Sequence, residues 1–204
     1  MTCPIKKKGG RERSGGWTLR YVDNIYQIKN ILPTHDFLTL SEEFNSGYNT
    51  WKFNKYEVFD DDDHPVRGCI QKPSSIRNDT LGDNLNLIKY GSILKFSCEK
   101  IIKNRLSLIR INTNIQFFGQ ESSFHKDGFE GSWTLNLFMN PNWDTSWGGE
   151  FVVQDKEGDY FYYPYIPNNA ILFPGDLEHM GHAPNVLSKN PRFTIAFTYQ
   201  ELTS

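Results

Sequence analysis

The hydrophobic pattern changes period near residue 105. Before it, apolar residues recur at helical spacing. Pro33-Thr34-His35-Asp36 is a helix-start signal, and Phe37, Leu38, Leu40 and Phe44 form one stripe behind it. Over 84–102, Leu87, Tyr90, Leu94, Cys98 and Ile101 recur every three or four residues and predict a second amphipathic helix. From Leu106 onward the segments are short and alternating: 106–111, 132–139, 150–154, 160–165, 170–173 and 193–199. Asn140-Pro141-Asn142, Gly148-Gly149, Pro167-Asn168-Asn169 and Pro174-Gly175-Asp176 punctuate them as turns. At least six strands after two helices predict a mainly β, α+β chain. The expected architecture is a double-stranded β-helix (a jelly-roll, cupin-like core) with the N-terminal helices packed on one sheet.

Upstream, 17–28 contains a first strand and 51–53 alternates like another. Residues 1–16 are basic and glycine-rich, with almost nothing to bury, and read as a flexible tail. Asp60 to Asp63 read as a solvated acidic loop, because four consecutive carboxylates cannot converge on one cation without special geometry. No internal repeat or linker divides 17–204, which is expected to be a single domain.

Composition sharpens this in three places. Aromatics make up 15% of the chain, beside 16 Gly and 10 Pro, which favours a turn-rich β architecture over a helical bundle. The formal net charge of -2 gives no generic attraction to nucleic acid. Cys3, Cys69 and Cys98 are widely spaced, with no CxxC, so neither a disulfide framework nor a cysteine metal site is expected. No apolar run approaches the roughly 18 residues of a membrane span, and no apolar leader segment opens the chain. The expectation is a soluble cytoplasmic protein. Oligomeric state leaves no signal.

The chemistry centres on His125-Lys126-Asp127. On a strand, residues i and i+2 share a face, so His125 and Asp127 would point together at one spot. A distant histidine beside them would complete two imidazoles and a carboxylate, a facial triad suited to Fe(II) with positions left open. Two histidines, His179 and His182, follow the strand at 170–173. In Pro191-Arg192-Phe193-Thr194-Ile195-Ala196-Phe197, alternation places Arg192 with Thr194 and Ala196 on one face. There a guanidinium has room to clasp a carboxylate in bidentate fashion. The plain reading of Arg192 is a surface ion pair at the rim.

With HKD, WGGEF, FPGDLEH and PRFTIAF in order, the chain resembles the Fe(II)- and 2-oxoglutarate-dependent dioxygenases. The branch it looks most like is the prolyl-4-hydroxylase-like group, with its small bacterial and phage members. The motif-bearing resemblance covers about 105–200. It implies His125, Asp127 and His179 as metal ligands, since Phe173 stands six residues before His179 as in the family's F-P-x-x-x-x-H. His182, ten residues before Arg192, is the rival. Arg192 matches the residue that takes the far carboxylate of 2-oxoglutarate, and Asn114 resembles a co-substrate-side asparagine, with Asn112 the alternative. The Trp147-Gly148-Gly149-Glu150 turn reads as structural. One departure is Pro184, five residues after His179 where many prolyl hydroxylases have proline at four, which weakens the case for a prolyl substrate.

The resemblance implies Fe(II), 2-oxoglutarate and O2, with ascorbate as a candidate reductant, and hydroxylation of a C–H bond with release of succinate and CO2. Peptidyl proline is the first substrate expectation, with a free amino acid, a small metabolite or a modified nucleobase behind it. Trp133, Trp143, Tyr162, Tyr163 and Tyr165 are candidates for a substrate groove or for rim packing. Phe124 and Phe129 either wall the metal pocket or pack in the core. Two other classes stay open: a cupin-type metalloenzyme that ignores 2-oxoglutarate, and a non-catalytic β-sandwich binding module.

Overall fold

The computed structural model describes residues 24–45, 52–53, 70–72, 85–120 and 122–202. The tail at 1–16, most of the strand expected at 17–28, the acidic loop at 60–63, Cys3 and Cys69 lie outside the described residues. The elements in order are β1 (Tyr26–Ile28), α1 (Thr34–Asn45), β2 (Lys52–Phe53), β3 (Ile70–Lys72), α2 (Leu85–Ile102) and β4 (Leu106–Gln116). There follow β5 (Ser132–Phe138), a 3-10 turn at Thr145–Trp147, β6 (Phe151–Gln154), β7 (Tyr160–Tyr163), β8 (Ala170–Pro174), β9 (His179–Gly181) and β10 (Arg192–Glu201). A seven-stranded sheet runs β1-β8-β5-β10-β4-β3-β2, and a three-stranded sheet runs β7-β6-β9. Every pairing is antiparallel.

Alternation on β10 explains how the layers assemble. Phe193, Ile195, Phe197 and Tyr199 face the helices and join Phe37 and Leu40 of α1, Leu87, Tyr90, Leu94 and Cys98 of α2, and Leu135, Leu137 and Leu172 of the large sheet in one core. Each such side chain taken from water stabilises by about 1.5–3 kcal/mol. The opposite faces of β8 and β5, through Ile171, Phe173 and Phe138, meet Phe151, Val153, Phe161 and Tyr163 of the small sheet in a second core. With a layer on each side, β10 is buried along nearly its whole length. Helix α2 lies so close to the sheet that a Cβ on Gly91 would sit 2.8 Å from Leu108 and 2.9 Å from Phe197, and Tyr199 OH donates to Gly91 O at 2.9 Å.

Several expectations change. In α1, Leu38 is exposed while Phe37 and Leu40 are buried. The strand expected at 106–111 continues to Gln116, because polar and apolar residues keep alternating through Asn112, Asn114 and Gln116. The strand expected at 160–165 ends at Tyr163, where Pro164 cannot donate to the ladder. The three-residue β9 is too short to leave a periodic signal. Among the described residues no helix is long and apolar enough to cross a membrane.

Candidate metal centre

His125 and Asp127 do not share the face of a core strand. Both lie in the connection between β4 and β5, where Gly119 and Gly131 take positive φ of 81° and 79° and turn the chain back on itself. Convergence is achieved by a single bridge instead. His125 N donates to His179 O and His179 N to His125 O, each at 3.0 Å, which makes the two histidines a directly opposed antiparallel pair. Their side chains therefore leave on the same side, with ring centroids 4.5 Å apart. The loop re-anchors at once, through Gly128 N to Gly175 O at 2.8 Å. Ser132 fills the space between these two glycines, and a Cβ on either would collide with its Oγ.

Asp127 completes the group. Its Oδ1 lies 3.8 Å from His125 Nε2, and its Oδ2 lies 3.6 Å from His179 Nε2. One ligand atom from each of the three residues lies within 4.8 Å of the others. Both imidazoles are committed in the same sense: His125 Nδ1 faces Ser123 O and His179 Nδ1 faces Leu177 O, each at 2.9 Å. A carbonyl only accepts, so each Nδ1 carries a proton and each Nε2 is the ring nitrogen left facing the centre. Phe173 and Phe151 wall the His179 ring at 4.5 and 5.3 Å.

Electrostatics suit a cation. Burial alone would raise the Asp127 carboxyl, but His179, His125 and Arg110, with the nearby Thr134 hydroxyl, outweigh it and hold the group below the ordinary carboxylate value. Thr134 Oγ1 makes no hydrogen bond of ordinary geometry among the described residues, and its contribution is the smallest of these. Burial pushes His179 the other way, down to about 4, so it is neutral at physiological pH. The standing positive charge beside Asp127 is then Arg110, whose Nη2 lies 3.4 Å from Oδ1. Neutral imidazoles and an ionised carboxylate are the donor set an Fe(II)-type ion takes.

Arg192 is buried, 3% exposed, not a rim residue. Its Nε donates to Gly149 O at 2.9 Å and its Nη1 to Gln116 Oε1 at 2.7 Å, and it lies over the Tyr165 ring at 5.4 Å. Gly149 and Gly181 flank it: a Cβ on Gly181 would stand 3.0 Å from Nη1, and one on Gly149 would stand 3.3 Å from Cδ. The Trp147-Gly148-Gly149-Glu150 turn thus cradles Arg192 rather than merely reversing the chain. On β4, Asn114 pairs with Thr194 and its Oδ1 is buried without a hydrogen bond among the described residues. Asn112 pairs with Ala196, one step further along.

Other candidates fall away from the triad. His182 Nδ1 lies 3.5 Å from Glu150 Oε2 and its ring lies beside Tyr162, so His179 is the histidine brought to His125 and Asp127. Tyr163 and Tyr165 are buried, and Trp133 Nε1 donates to Glu201 at 2.6 Å, which makes these packing groups rather than an exposed groove. Phe124 packs on Tyr160 at 5.5 Å and Phe129 is exposed, so neither walls the imidazoles. The motifs did not reach Arg110 and Gln116, and the signal for both was the period of two in Arg110, Asn112, Asn114 and Gln116. Tyr165, a candidate for a groove or for rim packing, lies under the Arg192 guanidinium instead.

No protein-family model matches the sequence, and no curated protein matches it. Solved structures match at the level of fold. A prolyl-4-hydroxylase from Pseudomonas putida is 13% identical with a TM-score of 0.63, covering 88% of this chain and 93% of that one. An oxidoreductase of the 2OG-Fe(II) oxygenase family from Burkholderia pseudomallei gives 12% and 0.67, over 87% and 85%. A prolyl hydroxylase from Trichoplax adhaerens, in complex with a hypoxia inducible factor oxygen degradation domain peptide fragment, gives 18% and 0.63, over 88% and 84%. The chain has the fold of these 2-oxoglutarate/Fe(II) oxygenases.

Proposed function

We propose that this chain is an Fe(II)- and 2-oxoglutarate-dependent dioxygenase of the prolyl-4-hydroxylase-like branch, with 17–204 as one catalytic unit and the two sheets as halves of a double-stranded β-helix. The observation that carries the reading is the convergence of His125 Nε2, Asp127 and His179 Nε2, with both Nδ1 atoms already given to carbonyls. These three residues hold the metal. Arg192, buried among glycines and rings, takes the far carboxylate of 2-oxoglutarate, with Asn114 beside its strand as a further contact. When bound, iron and co-substrate supply the O2 chemistry that turns C–H into C–OH while 2-oxoglutarate becomes succinate and CO2. The protein's own part is to keep the His179 imidazole neutral, hold one carboxylate ionised, turn both Nε2 atoms inward and wall the centre with Phe151 and Phe173.

A substrate bearing a peptidyl proline or another amino-acid unit is the first reading, supported by the two prolyl hydroxylases among the fold neighbours. Neither the cupin-type enzyme nor the binding module draws support from those neighbours, and a buried Arg192 cation has no evident use in either. Asp127→Ala tests the reading. The variant is expected to stay folded and to lose Fe(II)-dependent succinate formation by a hundredfold or more, on the order of the loss when an essential ligand is removed. Undiminished turnover would remove the triad from the chemistry.

A further inference from the structure

We infer that Arg110 is a positioning residue for the Asp127 ligand, holding its carboxylate and its backbone together in the orientation a metal needs; this rests on the metal-site reading above. Arg110 Nη2 donates to Asp127 O at 2.5 Å and lies 3.4 Å from Asp127 Oδ1. The acceptors that the guanidinium reaches among the described residues both belong to Asp127, and its Nε is buried without a partner there.

The backbone explains the need. Asp127 has no strand partner among the described residues, and its segment is fixed by the bridge at His125 on one side and by Gly128 N to Gly175 O on the other. Arg110 fixes the residue between those anchors. The aim of the side chain is set locally. Thr198 pairs with Arg110 but Tyr199 pairs with Leu108, so Ile109 is an extra residue on β4. Such a bulge bends a strand and re-aims the side chain beside it. In the same row across β4, β10 and β5 stand the short side chains of Thr198 and Thr134, which leave room for a long side chain to cross to Asp127. Both contacts are made by Nη2, whose directions the planar guanidinium fixes; a lysine would deliver the charge on a flexible stem with freely rotating donors.

A purely structural staple for the loop would make the same contacts, so the test reads the metal. Mn(II) binding to the metal-free chain is measured by the electron-spin signal of free Mn(II), for wild type, Arg110→Met and Arg110→Lys. Melting temperatures of the metal-free forms are recorded in parallel. The expected result is affinity weakened by about tenfold to a hundredfold in Arg110→Met and only partly restored in Arg110→Lys, with melting little changed. The visible absorption of the anaerobic Fe(II) and 2-oxoglutarate complex should also shift in both variants. Affinities within about threefold of wild type, below the tenfold expected of an outer-shell partner, would overturn the inference while leaving the metal site standing. Affinity that falls only in step with melting temperature would overturn it as well. If Arg110→Met does not fold, Arg110→Lys decides alone by the same criterion. Wild type that binds no Mn(II) would overturn the metal-site reading itself, and this inference with it.

Discussion

Two imidazoles that each give Nδ1 to a carbonyl two residues upstream are the smallest unit of this site. Residue type and spacing pointed to the candidate residues: His125-x-Asp127, a histidine after a strand, and an arginine on the last strand. The choice of His179 over His182 was not decided by spacing. It follows from the bridge at His125 and from Glu150, which holds His182 elsewhere. Arg110 was hidden because its pairing with Asp127 spans a loop whose course the sequence does not dictate. The state of His179 has a consequence for stability. It is held down to about 4 in the folded chain against 6.5 ordinarily, so between those values the unfolded state binds more protons. The contribution of His179 to the stability of the metal-free protein is fully present above 6.5 and is lost as pH drops toward 4. Melting temperatures across that window should decline more steeply in wild type than in His179→Gln. Parallel curves would mean that His179 does not enter the folded state neutral.

At the level of elements, the period switch near 105 marked where α2 gives way to the run of strands β4–β10, although the short β1, β2 and β3 lie before it, and four of the periodic residues of α2, Leu87, Tyr90, Leu94 and Cys98, are its buried stripe. What could not be read was the service one element does for another. The glycine-rich turn before β6 and the glycine of β9 together make the slot for the Arg192 side chain from β10. Gly181 tests this directly, since its φ is unremarkable and only space demands a glycine. A methyl group there would stand 3.0–3.2 Å from three guanidinium atoms. Gly181→Ala should raise the 2-oxoglutarate concentration needed for half-maximal turnover by about tenfold or more, the effect of losing roughly 1.4 kcal/mol of binding, while Mn(II) affinity stays near wild type. Equal loss of both would mean that β9 itself had moved.

The molecule as a whole is a large sheet with helices on one side and a small sheet on the other, and the site lies on the small-sheet side because the polar alternation of β4, β5 and β10 faces that way. Arg110, Asn112, Asn114 and Gln116 alternate with Ile111, Thr113 and Ile115, so one strand lines the site and builds the helix-side core at once. That division was legible on β10, where Phe193, Ile195 and Phe197 alternate with Arg192, Thr194 and Ala196. It was not legible in the segment carrying His125 and Asp127, because a bridge of one residue leaves no periodicity to find. A shared iron and co-substrate site is tested by anaerobic titration of the Fe(II)-loaded chain with 2-oxoglutarate, followed by visible absorption. A metal-to-ligand charge-transfer band that saturates in wild type and needs far more 2-oxoglutarate in Arg192→Gln is the predicted result. Bound iron with no such band at any 2-oxoglutarate concentration would contradict it.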